Sequence, residues 1–136
     1  MTVKEAAQVL AILKAAYPNS YRGMTAEEAT GTVSVWAMQF RDISADVVLM
    51  AVNKAIACSK FPPSICEVKD KISELHWEAY QIVSSRMSEK ITPPALLDQY
   101  QRVYDETHDY RHKQGFEPTL REMMNNNKLL LGKGGN

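Results

Sequence analysis

Residues 44–75 read SADVVLMAVNKAIACSKFPPSICEVKDKISEL, and this stretch alone describes two helices and the break between them. Ser44 precedes a segment, Ala45 to about Ser59, that is apolar nearly all round: Val47, Val48, Met50, Ala51, Val52, Ala55 and Ile56. A serine hydroxyl ahead of such a run satisfies the free N–H groups of a first helical turn. Apolar residues on every side mark a helix at the centre of a bundle. Phe61-Pro62-Pro63 interrupts it, since proline removes a backbone donor and pushes the preceding residue out of helical geometry. Ser64 then stands three residues before Glu67, the spacing of a capping box. Behind it Ile65, Val68, Ile72, Leu75, Ala79 and Ile82 recur on one side of a long fourth helix.

The same punctuation repeats outward from this stretch. Thr2 with Glu5, Thr25 with Glu28, and Thr119 with Glu122 are further capping-box pairs. Val3, Ala6, Leu10, Leu13 and Tyr17 share a face of a first helix that Pro18 ends; Ala29, Val33, Trp36, Ala37 and Phe40 do so in a second. Gly31 weakens that second helix by about 1 kcal/mol relative to alanine and suggests a close approach of another helix there. Thr92-Pro93-Pro94 marks a break, because prolines belong in a first turn. Leu97, Tyr100, Val103 and Tyr104 define a fifth, more polar helix that should fade near Gly115. No segment alternates with period two between turn signals, so no sheet is expected. The fold class is all-α: a helical bundle over residues 1–90, a connecting helix over 91–118 and a tail over 119–136. Four capped amphipathic helices can enclose their own stripes, so residues 1–90 are expected to fold without the rest.

Composition excludes several functions. The chain has 136 residues and 15.3 kDa, with sixteen basic and sixteen acidic side chains and a pI near 6.8. Charges cancel locally too, ten of each sign in 1–90 and six of each in 91–136, which argues against binding DNA or membranes through bulk charge. The longest uncharged stretch, Ala29 to Phe40, falls short of the ~18 residues a span requires. Lys4 and Glu5 before a short Ala-rich run make a poor signal peptide. A soluble, cytoplasmic protein is expected. Cys58 and Cys66 lack the second pair that a zinc site needs, and are expected to be half-buried thiols.

Catalytic signatures are wanting. The chain has no G-x-x-x-x-G-K-[ST], no G-x-G-x-x-G and no G-x-S-x-G, so no P-loop nucleotide hydrolysis and no cofactor are expected. His108-Asp109-Tyr110-Arg111-His112 puts two imidazoles at i and i+4, a metal-binding spacing. A zinc protease would have glutamate where Asp109 sits, and no third ligand can be named; solvent-facing histidines in a charged helix are the plainer expectation. Lys60, Lys69 and Lys71 interleave with Glu67, Asp70 and Glu74 as a solvated, salt-bridged face. Trp36, Phe40 and Trp77 lie on core-like stripes and are expected to pack.

The tail has a different character. Leu120, Met123 and Met124 form a short apolar face behind Thr119, and Asn125-Asn126-Asn127, Leu129-Leu130-Leu131 and a glycine-rich end follow. Residues poor in structure-forming preference beside costly exposed leucines and methionines suit either a segment that orders on a partner or an end that packs on its own bundle. Leu120, Met123, Met124, Leu129, Leu130 and Leu131 are the candidate partner-binding residues.

Lys60-Phe61-Pro62-Pro63-Ser64-Ile65-Cys66-Glu67-Val68-Lys69 resembles the "PP-[ST]-I-x-E-[IV]" helix start of the small phage replicative-helicase loader/inhibitor family. Glu5-Ala6, Leu10, Leu13 and Tyr17-Pro18 are similar to its "EA…L..L…YP" first helix, and Trp36 to its second-helix tryptophan. The resemblance covers about residues 1–85. It implies a helical N-terminal domain with a mobile C-terminal region and no ATPase site. It also implies binding to a hexameric replicative helicase, restraint of that helicase while bound, and its delivery to a phage origin through an origin-binding initiator protein. Helicase contact in the family is attributed to the C-terminal region; the motif-level match stops short of it, so Leu120 to Leu131 rest on composition. Two alternatives compete. One is a DNA-binding regulator, with the third and fourth helices as a loose helix-turn-helix; the other is a metal-binding protein or enzyme using His108 and His112.

Overall fold

In a computed structural model, which describes residues 1–84 and 94–115, the chain forms five helices in order: α1 (Val3–Ala16), α2 (Ala26–Gln39), α3 (Ala45–Cys58), α4 (Ile65–Ser84) and α5 (Pro94–Lys113). No strand occurs among the described residues. The fold is all-α, as the periodicity indicates.

Capping starts the helices where the sequence places it. The Glu5 amide donates to Thr2 Oγ1 at 3.2 Å and the Thr2 amide to Glu5 Oε1 at 2.9 Å, a full reciprocal box. The Thr2 amide, and after it the Thr2 hydroxyl, hold the Glu5 carboxyl below its usual range. The Glu28 amide donates to Thr25 Oγ1 at 3.1 Å, the Val47 amide to Ser44 Oγ at 3.4 Å and the Glu67 amide to Ser64 Oγ at 3.1 Å. Pro94 occupies the first position of α5, where its missing N–H costs no hydrogen bond. Gly115, at φ +84°, ends that helix in left-handed geometry. Thr92, Pro93 and the Thr119–Glu122 pair lie outside the described residues.

Packing runs in sequence order: α1 on α2 and more lightly on α3, α3 on α4, and α4 most extensively on α5. The core takes Ala6, Val9, Leu10 and Leu13 from α1; Val33, Trp36 and Ala37 from α2; Val47, Val48, Ala51 and Val52 from α3; and Val68, Ile72, Leu75 and Ala79 from α4. Phe40 and Ile43 close it between α2 and α3. The Met1 ammonium donates to the carbonyls of Phe40 at 3.0 Å and Ile43 at 2.7 Å, tying the start of α1 to the end of α2.

The buried cluster does not close at α4. Val103 and Tyr110 of α5 belong to it. Thr107, fully buried, meets His76 of α4 with Nδ1···Oγ1 at 3.1 Å. The Phe40 and Tyr110 rings stack at 6.4 Å, and the Tyr110 hydroxyl donates to Gln39 O at 3.3 Å. Ser44 Oγ donates to Glu106 Oε2 at 2.6 Å, and Arg102 reaches Asp46 at 3.2 Å, so α5 also grips the N-terminal turn of α3. The fifth helix thus contributes to the same buried cluster as the other four.

Three smaller expectations change. Cys58 and Cys66 are free and exposed, because each falls on the solvent side of a helix end. Trp77 is half-buried, with the Arg111 guanidinium 5.4 Å from its ring centroid. Apart from its chain neighbours and its own helix backbone, no described atom lies within 4 Å of the position a Cβ on Gly31 would take, so no other described element makes a close approach there.

Candidate partner-binding surfaces

Leu120, Met123, Met124, Leu129, Leu130 and Leu131, the residues the sequence points to for partner binding, lie outside the described residues. The surfaces that the described residues do present fall on α1 and α2, on α4, and along the seam of α4 with α5.

The first surface surrounds α2. Its core face is spent on α1 and the bundle, and its far side leaves Met38 64% and Val35 47% exposed. Met24, Glu28, Gly31, Thr32, Val35 and Trp36 line an open trough of about 550 Å³ along that side. The spacing of 28, 31, 32, 35 and 36 keeps them on one helical face. A second depression, of about 350 Å³, lies where α1 meets α2, with Leu10 and Val33 as its apolar floor and Ala7, Ala11 and Ala29 as shallow walls. Both are lined mainly by short or apolar side chains, with Glu28 at the edge of one and Lys14 at the edge of the other, and neither carries a cluster of titratable groups, so they suit apolar contact and not bond-making chemistry. Phe61, 74% exposed, projects from the Pro-Pro segment between α3 and α4.

The second surface is the solvent side of α4. Glu67, Asp70, Glu74 and Glu78 are all exposed and follow one another at intervals of three and four. Lys54 of α3 reaches Glu78 at 2.6 Å and Glu74 at 3.7 Å, and Lys71 reaches Glu74 at 3.1 Å. Those contacts hold both ammonium groups above their usual range, the hydrogen bond to the carboxylate being the largest cause. Lys69, expected on a salt-bridged face, instead donates to Gln39 Oε1 at 2.9 Å and Gln114 Oε1 at 3.1 Å, linking the ends of α2 and α5. A recognition helix must carry cations toward phosphate, whereas this helix is flanked by α3 and α5 and shows water a row of carboxylates.

The third surface is the aromatic seam. His76, 1% exposed, stacks on Tyr104 at 5.3 Å and on His108 at 6.0 Å, and meets the edge of Trp77 at 4.7 Å. Trp77 in turn meets Tyr80 at 5.7 Å, and Arg111 donates to Ser73 Oγ at 2.6 Å. His108 therefore serves as the outer leaf of a ring stack, and His112 is exposed beyond it. Among the described residues no group of three or more His, Cys, Asp or Glu is placed to hold a metal ion. His76 is invisible to a search for ligand spacings. The signal that could have found it is its position four residues after Ile72, on the buried stripe of α4.

The family model for the N-terminal domain of the phage helicase loaders and inhibitors matches residues 1–69. The chain belongs to this family. The family match spans α1, α2, α3 and the first turn of α4, and it includes the Pro62-Pro63-Ser64-Ile65 start that carries the resemblance. The aromatic seam, α5 and the tail lie beyond the matched residues. No curated protein and no solved structure matches the chain. Membership of the family makes this a protein associated with a replicative helicase of phage or host. Among the described residues no helix is long and apolar enough to cross a membrane.

Proposed function

We propose that the protein is a non-catalytic adaptor that binds a hexameric replicative helicase, restrains it while bound and loads it at a phage replication origin. The observation that carries this reading is the family match over residues 1–69. An initiator protein bound at the origin is the second partner in this scheme, and the bacterial cytoplasm is where it operates. The partner-binding residues are Leu120, Met123, Met124, Leu129, Leu130 and Leu131. Methionine adapts to uneven grooves, and each such anchor contributes ~1.5–3 kcal/mol when buried on a partner, against several kcal/mol lost in ordering the segment. Two features weigh against the competing readings. The acidic solvent side of α4 is unsuited to a DNA groove, and the stacking of His108 on Tyr104 and His76 commits one of the two candidate metal ligands to packing.

The test uses purified full-length chain mixed with the phage helicase and, separately, with the host helicase. Co-elution on gel filtration with at least one of them, and a lowered helicase ATPase rate in the mixture, are the expected results. Deleting residues 119–136 should abolish co-elution. Salt-sensitive binding to duplex DNA in the absence of any helicase interaction would replace this reading with the DNA-binding one.

A further inference from the structure

Between Glu28 and Arg41 the chain has no charged residue, and the part of it that faces water is one side of α2. Thr30, Gly31, Ser34, Val35 and Met38 are all exposed there. The Thr30 and Thr32 hydroxyls turn back on their own helix, donating to Ala26 O at 2.9 Å and Glu28 O at 2.8 Å. A face with apolar side chains and few donors left to desolvate is suited to burial against protein.

Shape and charge together say what covers it. Gly31 weakens its helix relative to alanine, is not in left-handed geometry, and has no other described element near the place of its Cβ. Its missing side chain leaves a hollow in the trough bordered by Met24, Val35 and Trp36. Two turns further along the same side stands Met38, 64% exposed, a flexible side chain able to fill an uneven hollow. The charges are placed at opposite ends of the same face. Glu27 and Glu28, exposed and in no ion pair with a described residue, precede the uncharged stretch. Arg41 follows it, with its side chain 75% exposed and only Asp42, at 3.8 Å, beside it. Asp42 itself lies near the Tyr110 phenol of α5. Let a two-fold axis pass through the face between Ser34 and Val35. An antiparallel twin then brings Met38 of one copy over Gly31 of the other, each ~5 Å along the helix from the axis. Glu28 of one copy comes opposite Arg41 of the other, each ~10 Å from the axis, and every contact is made twice.

We infer that the outer face of α2 pairs with the same face of a second copy of this chain, Met38 seating in the trough at Gly31 and Glu28 meeting Arg41. One fourteen-residue helix on its twin falls short of the ~1,200 Å² that a stable specific pair buries. The free chain is therefore a monomer when dilute and pairs only where copies are crowded. A hexameric helicase that holds several copies side by side supplies that crowding, and neighbours on the ring then pair through α2; this last step rests on the proposed function.

The experiment uses the full-length chain without helicase. Amide signals are followed from micromolar dilution to about 1 mM, the effective concentration that short tethers produce. The Gly31, Val35 and Met38 signals should move with concentration, while those of Asp70 and Glu74 on α4 stay. Met38→Asp should abolish the movement at Val35, and so should Gly31→Leu, which has open space for its side chain. Glu28→Arg and Arg41→Glu should each weaken it, because each sets like charges opposite one another. An equimolar mixture of those two variants should restore it, because in the mixed pair every reversed charge meets an opposite one. Signals at Gly31 and Val35 that ignore concentration overturn the proposal. So does movement centred on another face, or a mixture that behaves no better than its single components. The ring step has a separate readout. Gly31→Cys and Met38→Cys chains, each in a Cys58→Ser, Cys66→Ser background, are mixed with a mild thiol oxidant at a dilution that gives no cross-link. Adding the helicase should then produce the disulfide between them. No cross-link while the chains co-elute with the helicase overturns the ring step. Failure to co-elute counts instead against the helicase reading, and the pairing is then decided by the free-chain titration.

Discussion

Thr107 has one hydroxyl proton, and the carbonyl of Val103 at 2.7 Å takes it, with Tyr104 O at 3.1 Å beside it. The oxygen's remaining capacity faces His76, whose Nδ1 must therefore carry the donated proton. Thr107→Val keeps the volume and removes that acceptor from a buried N–H. The expected loss is ~1–3 kcal/mol in urea unfolding, with Thr107→Ser losing much less. Tyr110 gives a second test at this scale. Burial, with Asp42 nearby as the lesser cause, pushes its phenol up to about 12. The unfolded phenol titrates near its ordinary value of 10.0, so the folded state holds the proton more tightly. Its contribution is full below pH 10 and is lost as the pH climbs toward 12. The part of that loss falling between about pH 8 and about pH 11, of order 1 kcal/mol, should be missing from Tyr110→Phe when urea midpoints at those two pH values are compared.

At the scale of elements, helix starts are the most legible part of the sequence and helix faces only partly so. Thr2, Thr25, Ser44 and Ser64 all accept the amide bond their spacing promises, because a cap depends on residues three apart and on little else. The stripe of α5 reads in sequence as Leu97, Tyr100, Val103 and Tyr104. Tyr100 and Tyr104 do pack against the core, half-buried, while the fully buried line runs through Val103, Thr107 and Tyr110, and a threonine at the middle of such a line does not announce itself by polarity. Gly31 shows the same limit, since whether a glycine serves a close approach depends on what stands opposite. Ser44 joins two elements at once, accepting from Val47 and donating to Glu106. Ser44→Ala should cost ~1–2 kcal/mol. In a double-mutant cycle with Glu106→Ala the two losses should be less than additive, by ~0.5 kcal/mol or more.

At the scale of the whole molecule, the family match ends in the first turn of α4, whereas the core continues to Tyr110. A chain cut after residue 90 loses the cover that Val103, Thr107 and Tyr110 give to α4 and to Phe40. With ~1.5–3 kcal/mol for each large apolar side chain uncovered and a buried His76 deprived of Thr107, the sum is of order 5 kcal/mol. That is comparable with the whole stability of a small domain, ~5–15 kcal/mol. The truncated chain is therefore expected to melt broadly or far below the full chain by circular dichroism. A sharp melt within a few degrees of the full chain would show that α1–α4 enclose their stripes unaided, as their amphipathic patterns suggest. The proposed partner anchors are legible only as composition, since a tail's role depends on what it meets.

The two tryptophans sit on different seams: Trp36 packs at a tilt against Phe40 and borders the trough on α2, and Trp77 lies beneath Arg111 between α4 and α5. The protein thus contains two intrinsic optical reporters, which Trp36→Phe and Trp77→Phe would isolate one at a time. With Trp77 alone, a change in emission during unfolding times the parting of α4 from α5. With Trp36 alone, a change in emission without unfolding signals that something has entered or left the trough, and a stopped-flow trace would give its rate.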